Sequence, residues 1–382
     1  MTELRIKKIG ERNSSIELLK LISIFVIIVS HCLKTLYSEG EYVDFFEYQI
    51  DLNRVTTNIQ QFIMSFLTLG GMFGNSAFFI CSAWFLLDSS SAKIKKVIQF
   101  VLDVWLVSII FLICIYFLRD GDIDRKLMVC QLFPTTFGTT WFITCYILFY
   151  PIHPILNKII YGMGQKRLLR SVIILFFCYL LVNTFIKSAF FPSKLILWVA
   201  FYFTIGYIKL YLGKTSLNKR INYMLAFGCL AIQFLVMIAI DLLGLYFGVM
   251  DKDLLFFRRD CIFLVFISAI GFFNLFRNRQ FSNSCINKLA ACSLFVYLIH
   301  ENSLLKHYYR PQWWNYIYNN FGYDHILLWV FLMASILFIT SMALSFIYKG
   351  SFQRVTILVN EWIYQRTARY YNIIETRILS LE

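Results

Sequence analysis

Apolar runs of about 20 residues recur along the chain, separated by short polar stretches rich in Lys and Arg. A run of that length is enough to cross the hydrocarbon core of a bilayer as a helix. Ten such runs are legible, at roughly 17–36, 62–87, 97–118, 135–156, 171–190, 195–212, 223–247, 255–276, 289–306 and 326–348. The fourth is the least regular, with Pro134 and Gly138 at its start and Pro151 and Pro154 at its end. The pattern predicts an all-α integral membrane protein of about ten transmembrane helices.

Charge placement gives the direction. Of the 36 Lys and Arg residues, 23 fall on the segments that would lie on the same side as the N-terminus, and 10 on the opposite loops. Cytoplasmic segments accumulate both residue types, so N-terminus and C-terminus are expected to be cytoplasmic. Residues 1–16 then form a cytoplasmic N-terminus, 17–348 the membrane domain, and 349–382 a basic tail. The tail alternates basic, aromatic and apolar positions over 361–382, which suits an amphipathic helix on an anionic lipid surface. The first run is long enough to span and is followed by no small-residue cleavage site, so it reads as a retained span.

Composition narrows the class. Hydrophobic residues make up 59% of the 382 and charged residues 15%, against about 25% charged in a soluble domain. The net charge of +14 is scattered between apolar runs instead of gathered on a stripe, so no nucleic-acid partner is expected. The ten cysteines include no C-x-x-C pair and mostly sit in apolar runs. Neither a disulfide framework nor a metal site is expected.

The first run carries the chemistry. Glu17, Lys20 and His31 lie in or beside a segment where each ionisable group costs roughly 2.5–3.5 kcal/mol. Lys20 and His31 are eleven residues apart, which on an α-helix puts them on one face about 16 Å apart along the axis. That face should turn toward protein. An imidazole there suits proton transfer near neutrality. The plainer alternative is that Lys20 snorkels to headgroups beside Glu17 and that His31 bonds a neighbouring helix.

The stretch "RNSSIELLK", with His31 eleven residues after Lys20, resembles the opening of the bacterial integral-membrane acyltransferase type 3 family. So do "GNSAFFICSAWFLL" at 74–87, with Ser82, "TTWFITCYILFYPIHPILNKII" at 139–160, with Trp141 and Tyr146, and "LFVYLIHEN" at 294–302. The chain departs from the family pattern in having Lys20 for an Arg, Ala83 for a Gly, and Lys93, Lys95 and Lys96 for an Arg pair after the second span.

The resemblance implies transfer of an acyl group, commonly acetyl from acetyl-coenzyme A, to a hydroxyl of a cell-surface polysaccharide or related envelope glycan. Such a protein sits in the bacterial plasma membrane as a multi-pass enzyme. Acyl-coenzyme A is then a co-substrate, and no cofactor is permanently bound. His31 is expected as general base or transient acyl carrier, with Glu17 orienting Lys20. Arg12, Lys93, Lys95 and Lys96 face the cytosol and suit the donor's phosphates, unless they are ordinary positive-inside charge. Tyr297 and His300 in the ninth run suit an acceptor wall, or helix packing. Trp313 and Trp314 suit stacking on sugar rings, or an interfacial aromatic belt. Arg258 and Arg259 join the candidates if they are embedded. His153, between two prolines, reads as structural.

Other classes remain open at this stage. A transporter or flippase for a lipid-linked sugar or small anion would favour internal symmetry, which the chain lacks. A glycan polymerase would favour a long outer loop, and the longest here is 34–61. A purely structural membrane protein would leave the Lys20–His31 stripe without a role. The acceptor, the acyl length and the oligomeric state are not legible.

Overall fold

The computed structural model describes residues 13–33, 35–38, 41–44, 59–185, 190–213, 218–247, 262–322 and 325–377. In chain order the helices are α1 (Ser14–Leu33), α2 (Ile59–Thr68), α3 (Gly70–Leu86), α4 (Ile94–Leu118), α5 (Arg125–Leu132), α6 (Trp141–Gly162), α7 (Gln165–Phe185) and α8 (Phe190–Tyr211). They continue with α9 (Lys219–Tyr223), α10 (Cys229–Phe247), α11 (Ile262–Arg277), α12 (Ser284–Ala290), α13 (Ser293–His300), α14 (Arg310–Phe321), α15 (Ile326–Ile347) and α16 (Gln353–Arg377). Three π-helical turns, Met224–Gly228, Leu305–Tyr309 and Tyr348–Phe352, join neighbouring helices.

The expectation of an all-α chain needs one amendment. A short antiparallel hairpin, β1 (Thr35–Ser38) and β2 (Glu41–Asp44), follows α1, with Thr35 opposite Asp44 and Ser38 opposite Glu41. Among the described residues, seven helices are long and apolar enough to cross a membrane. The expected ninth span differs most. Residues 289–306 are not one helix, because a turn in which Cys292 N–H bonds to Leu289 O separates α12 from α13. The expected aromatic loop after it is α14, started by Pro311 in its first turn and stopped at Gly322, whose φ of 63° is left-handed. Proline has no N–H to lose at that end, and glycine alone enters the left-handed region freely.

The chain forms two compact units. The first comprises Met1–Cys81, Lys214–Leu294 and Tyr323–Phe338. Its α1 starts at Asn13, whose side chain accepts from Ser15 N–H at 3.1 Å as an N-cap. Ser14 ties that start to α12. Its Oγ donates to Asn287 Oδ1 at 2.8 Å and accepts from Asn283 N–H at 2.7 Å.

α3 presses against α1 along Gly70, Gly71 and Gly74. A Cβ at Gly74 would stand 2.5 Å from Ser23 O, and one at Gly70 2.6 Å from Val26 Cγ1. Small residues at this spacing bring helix backbones together where lipid offers no hydrophobic drive between helices. On the other side of the unit, Gly271 of α11 meets the π turn after α9 in the same way, 2.5 Å from Ala226 N. The carbonyl of Ala226 accepts Ser268 Oγ at 2.6 Å.

The second unit comprises Ser82–Gly213, Phe295–Gly322 and Ile339–Glu382. Its centre is α6, packed against α4 and α8 through an aromatic column. Phe142 and Trp198 are 4.8 Å apart, Phe149 and Tyr202 5.0 Å, and Phe100 and Tyr146 5.6 Å. Asn157 clamps the end of α3 by donating to Leu86 O and Ser89 O, both at 2.9 Å, while its Oδ1 accepts from Tyr202 OH. Lys209 adds a hydrogen bond to Trp84 O at 2.8 Å and an ion pair with Asp88 at 2.7 Å.

The segment before the expected surface stretch 361–382 is held by the second unit. α16 continues from α15 through the Tyr348–Phe352 π turn and docks along α4. Buried Asp103 accepts from Thr356 Oγ1 at 2.7 Å, Tyr348 OH at 2.9 Å, Gln99 Nε2 at 3.2 Å and Gln353 Nε2 at 3.3 Å. Asn360 bonds Lys95 O and Gln99 Oε1, and Lys95 pairs with Glu361.

Candidate active site

In the first unit, α1 places the polar stripe. It is unbroken from Ser14 to Leu33, so the separation of about 16 Å between Lys20 and His31 holds. Lys20 Nζ lies 3.2 Å from Glu17 Oε1, with both side chains largely covered. Glu17 also stands in the first turn, where the helix dipole favours a carboxylate. Ser23, Ser30 and His31 are buried on the same helix. Ser23 Oγ donates back to Leu19 O at 2.7 Å, and Ser30 Oγ donates to Thr68 O at 2.7 Å. His31 is only 3% exposed. The stripe therefore faces protein, as the cost of bare charges in lipid requires. Arg12, Arg258 and Arg259 lie outside the described residues.

In the second unit, Tyr297 and His300 are brought together, their rings edge to face at 5.5 Å. His300 Nδ1 is 2.8 Å from Val296 O. A carbonyl oxygen only accepts, so Nδ1 carries the proton and the neutral ring presents its lone pair at Nε2. Five further polar side chains crowd the end of α13. Arg310 Nη2 donates to His300 O at 2.9 Å, and its guanidinium lies 3.8 Å from Glu301. Lys306 Nζ reaches Glu301 Oε1 at 2.9 Å, and Asn302 bonds Gln131. Glu301, Arg310 and Gln131 were not singled out from sequence. The signal for the first was in plain view, an acidic residue directly after His300 at the end of an apolar run.

The remaining expected residues are spread over the second unit. Trp141 stands under Lys194, whose Nζ is 5.8 Å from the ring centre. Tyr146 joins the aromatic column, and Ser82 is partly buried in α3. Trp314 is fully buried, so it packs inside α14's interface and only Trp313, 40% exposed, presents a ring at the surface.

The three lysines also part company. Lys95 is held by Glu361 and lies over Tyr364 at 4.9 Å, whereas Lys93 and Lys96 are exposed. Lys96 Nζ sits 4.9 Å from the centre of the Tyr150 ring. A cavity of about 160 Å³ is lined by residues including Val107, Phe111, Cys114, Ile299 and Tyr348 and is almost wholly apolar.

His153 is fully buried and its Nδ1 bonds Tyr150 O at 2.5 Å. The reason is local. Pro154 has no N–H to give to the carbonyl four residues before it, so the imidazole supplies the missing donor.

These two polar constellations, an imidazole with an ion pair on α1 and an imidazole with a buried carboxylate and guanidinium at the end of α13, can move protons and hold anionic groups. Comparison with curated proteins and with solved structures gives no match. Comparison with family models matches residues 13–348 to the acyltransferase domain that defines acyltransferase type 3. That match takes in α1, α6 and α13, and with the run of apolar helices it makes this chain a multi-pass membrane protein belonging to the acyltransferase type 3 family.

Proposed function

We propose that this protein is an O-acyltransferase of the bacterial plasma membrane. It moves an acyl group, acetyl in the simplest case, from acyl-coenzyme A to a hydroxyl of a cell-surface polysaccharide or related envelope glycan. In this reading ten segments span the bilayer and both termini are cytoplasmic, which fits the distribution of Lys and Arg. The observation that carries the proposal is the family match over 13–348, which includes the buried polar face of α1.

A sugar hydroxyl is a weak nucleophile and needs a base at the moment of attack. His31 serves as that base or carries the acyl group in transit. Taken as base, its imidazole accepts the hydroxyl proton as the oxygen bonds to the acyl carbon. The carbon–sulfur bond then breaks, and the departing thiolate recovers the proton. Glu17 holds Lys20 in place at the cytosolic end of the same face. Arg12, Lys93 and Lys96 receive the donor's phosphates, while Lys95 is committed to Glu361. Tyr297, His300, Trp313, Arg258 and Arg259 are assigned to the acceptor side.

The test is to feed acetyl-labelled coenzyme A thioester to membranes carrying the full chain or its His31→Ala variant. Alkali-labile label should accumulate on envelope glycan with the first and drop at least 100-fold with the second, the lower range for loss of a catalytic base. Equal labelling by both would remove His31 from the chemistry. Absence of label with either, accompanied by uptake of a lipid-linked sugar into vesicles, would point to transport instead.

A further inference from the structure

The structure assigns His153 a role in holding the acyl donor, and this rests on the acyl-coenzyme A reading above. We propose that Nε2 of His153 accepts a hydrogen bond from an amide N–H of the donor's pantetheine arm, directly behind a phosphate site formed by Lys93 and Lys96.

The argument begins with an acceptor that has no donor. His153 Nδ1 gives its proton to Tyr150 O, so the neutral ring's lone pair is on Nε2. That nitrogen is buried and has no hydrogen-bond partner. A buried polar atom left unsatisfied forfeits its solvation with nothing in return. The N–H role of the ring is explained by Pro154. The bare acceptor on the other side is not, since a chain that needed only the Nδ1 donor would gain by covering Nε2 with a hydroxyl or amide. An orphaned acceptor at a binding position is the expected signature of a group reserved for a ligand.

Its neighbours specify the ligand. Lys96 Nζ is 4.9 Å from the Tyr150 ring centre, and that ring is 5.2 Å from the His153 ring. The ammonium and the imidazole are thus within about 10 Å of each other by these two steps. Lys93 is exposed at the start of α4, three residues before Lys96. A cation at the surface, an aromatic face behind it and a bare acceptor deeper still match a phosphate, a short apolar spacer and an amide N–H in that order. This is the order of groups in the phosphopantetheine half of coenzyme A. Free phosphate or a lipid headgroup would use the cations and leave Nε2 bare.

The experiment measures equilibrium binding of two probes to the purified full chain in detergent: coenzyme A, and its nucleotide half alone, 3′-phospho-ADP. His153→Phe keeps a ring but offers no acceptor, and should weaken coenzyme A about 10-fold while leaving 3′-phospho-ADP unchanged. His153→Gln, which restores a side-chain oxygen, should recover part of the loss and serves if the Phe variant does not fold. Lys96→Ala should weaken both probes. Equal loss of both probes on changing His153, or no loss of either, overturns the assignment. So does a wild-type chain that binds coenzyme A no better than 3′-phospho-ADP. A wild-type chain that binds neither removes the acyl-coenzyme A reading itself, and the assignment with it.

Discussion

Removing the Asp103 carboxyl should detach the C-terminal helix from α4 in a graded way that the hydrogen-bond geometry fixes in advance. Asp103 is 2% exposed in the middle of an apolar helix, and four donors converge on it. Hydrogen bonds between membrane helices are worth about 0.6 kcal/mol on average and up to about 1.7. The two short bonds, from Thr356 and Tyr348, therefore account for about 1–3 kcal/mol in Asp103→Ala. The two donors are not equivalent. Thr356 Oγ1 has a second acceptor at Gln353 O, 2.8 Å away. Thr356 can turn to that carbonyl when the carboxyl is gone, whereas Tyr348 OH exchanges a charged acceptor for the Thr356 hydroxyl alone. A double-mutant cycle of Asp103→Ala with Tyr348→Phe should thus show a coupling of about 1 kcal/mol, and a cycle with Thr356→Val distinctly less. Reversible unfolding in mixed micelles reads both cycles, and proteolysis within 353–377 reports release of the helix. Couplings below about 0.3 kcal/mol in both cycles, or a larger coupling for Thr356 than for Tyr348, would refute the reasoning.

Other variants test the packing and the clamp. Gly74→Ala puts a methyl 2.5 Å from the Ser23 carbonyl, a backbone atom that cannot swing away, so it should lower stability by about 1–3 kcal/mol; Gly162→Ala, which meets nothing within 4 Å, should not, and thermal unfolding compares them. Asn157→Leu strands the Ser89 carbonyl and the Tyr202 hydroxyl, while Leu86 O keeps its bond from Ser89 N–H, and should cost about 1–3 kcal/mol in the same measurement. Lys95→Ala breaks a pair whose side chains are 39% and 44% exposed, so unfolding should show a loss below about 1 kcal/mol, and donor binding should change far less than in Lys96→Ala.

The apolar runs announced most of the long helices, because a span needs about 20 consecutive apolar residues and little else in a sequence produces that pattern. The same logic concealed the break at Cys292. "LAACS" contains neither Gly nor Pro, so a turn there is apolar and silent. For α14 the opposite held. Pro311 and Gly322 are ordinary start and stop signals, but the density of Tyr and Trp between them reads equally well as an interfacial belt. The Glu17–Lys20 pair was legible because it is local, three residues apart on one helix. The Asp103 cluster was half legible. An aspartate in an apolar run is conspicuous, and Gln99 one turn before it is a local partner, but the other three lie 245 to 253 residues further along the chain, and no periodicity connects them.

The buried polar groups of a membrane protein divide by how their atoms are used, and that division separates scaffold from site better than rarity does. Asp103 and Asn157 are as conspicuous as any histidine here, yet their oxygens and amide hydrogens are spent on the scaffold: three donors from the C-terminal segment and one from Gln99 on Asp103, and two carbonyls plus a tyrosine hydroxyl on Asn157. Such groups hold helices in register and have nothing left to offer a substrate. The histidines of the second unit's spans differ. In both His153 and His300 the chain fixes one nitrogen against a backbone carbonyl, Tyr150 O or Val296 O, and so commits the other to being a lone-pair acceptor. At His153 the tautomer already has a scaffold reason, the Tyr150 carbonyl that Pro154 leaves without its helical donor. That reason fixes Nδ1 and says nothing of Nε2, which a scaffold would be free to cover with a donor. At His153 that donor is missing, which is why the imidazole that looked purely structural in the sequence is the one from which a ligand contact can be inferred.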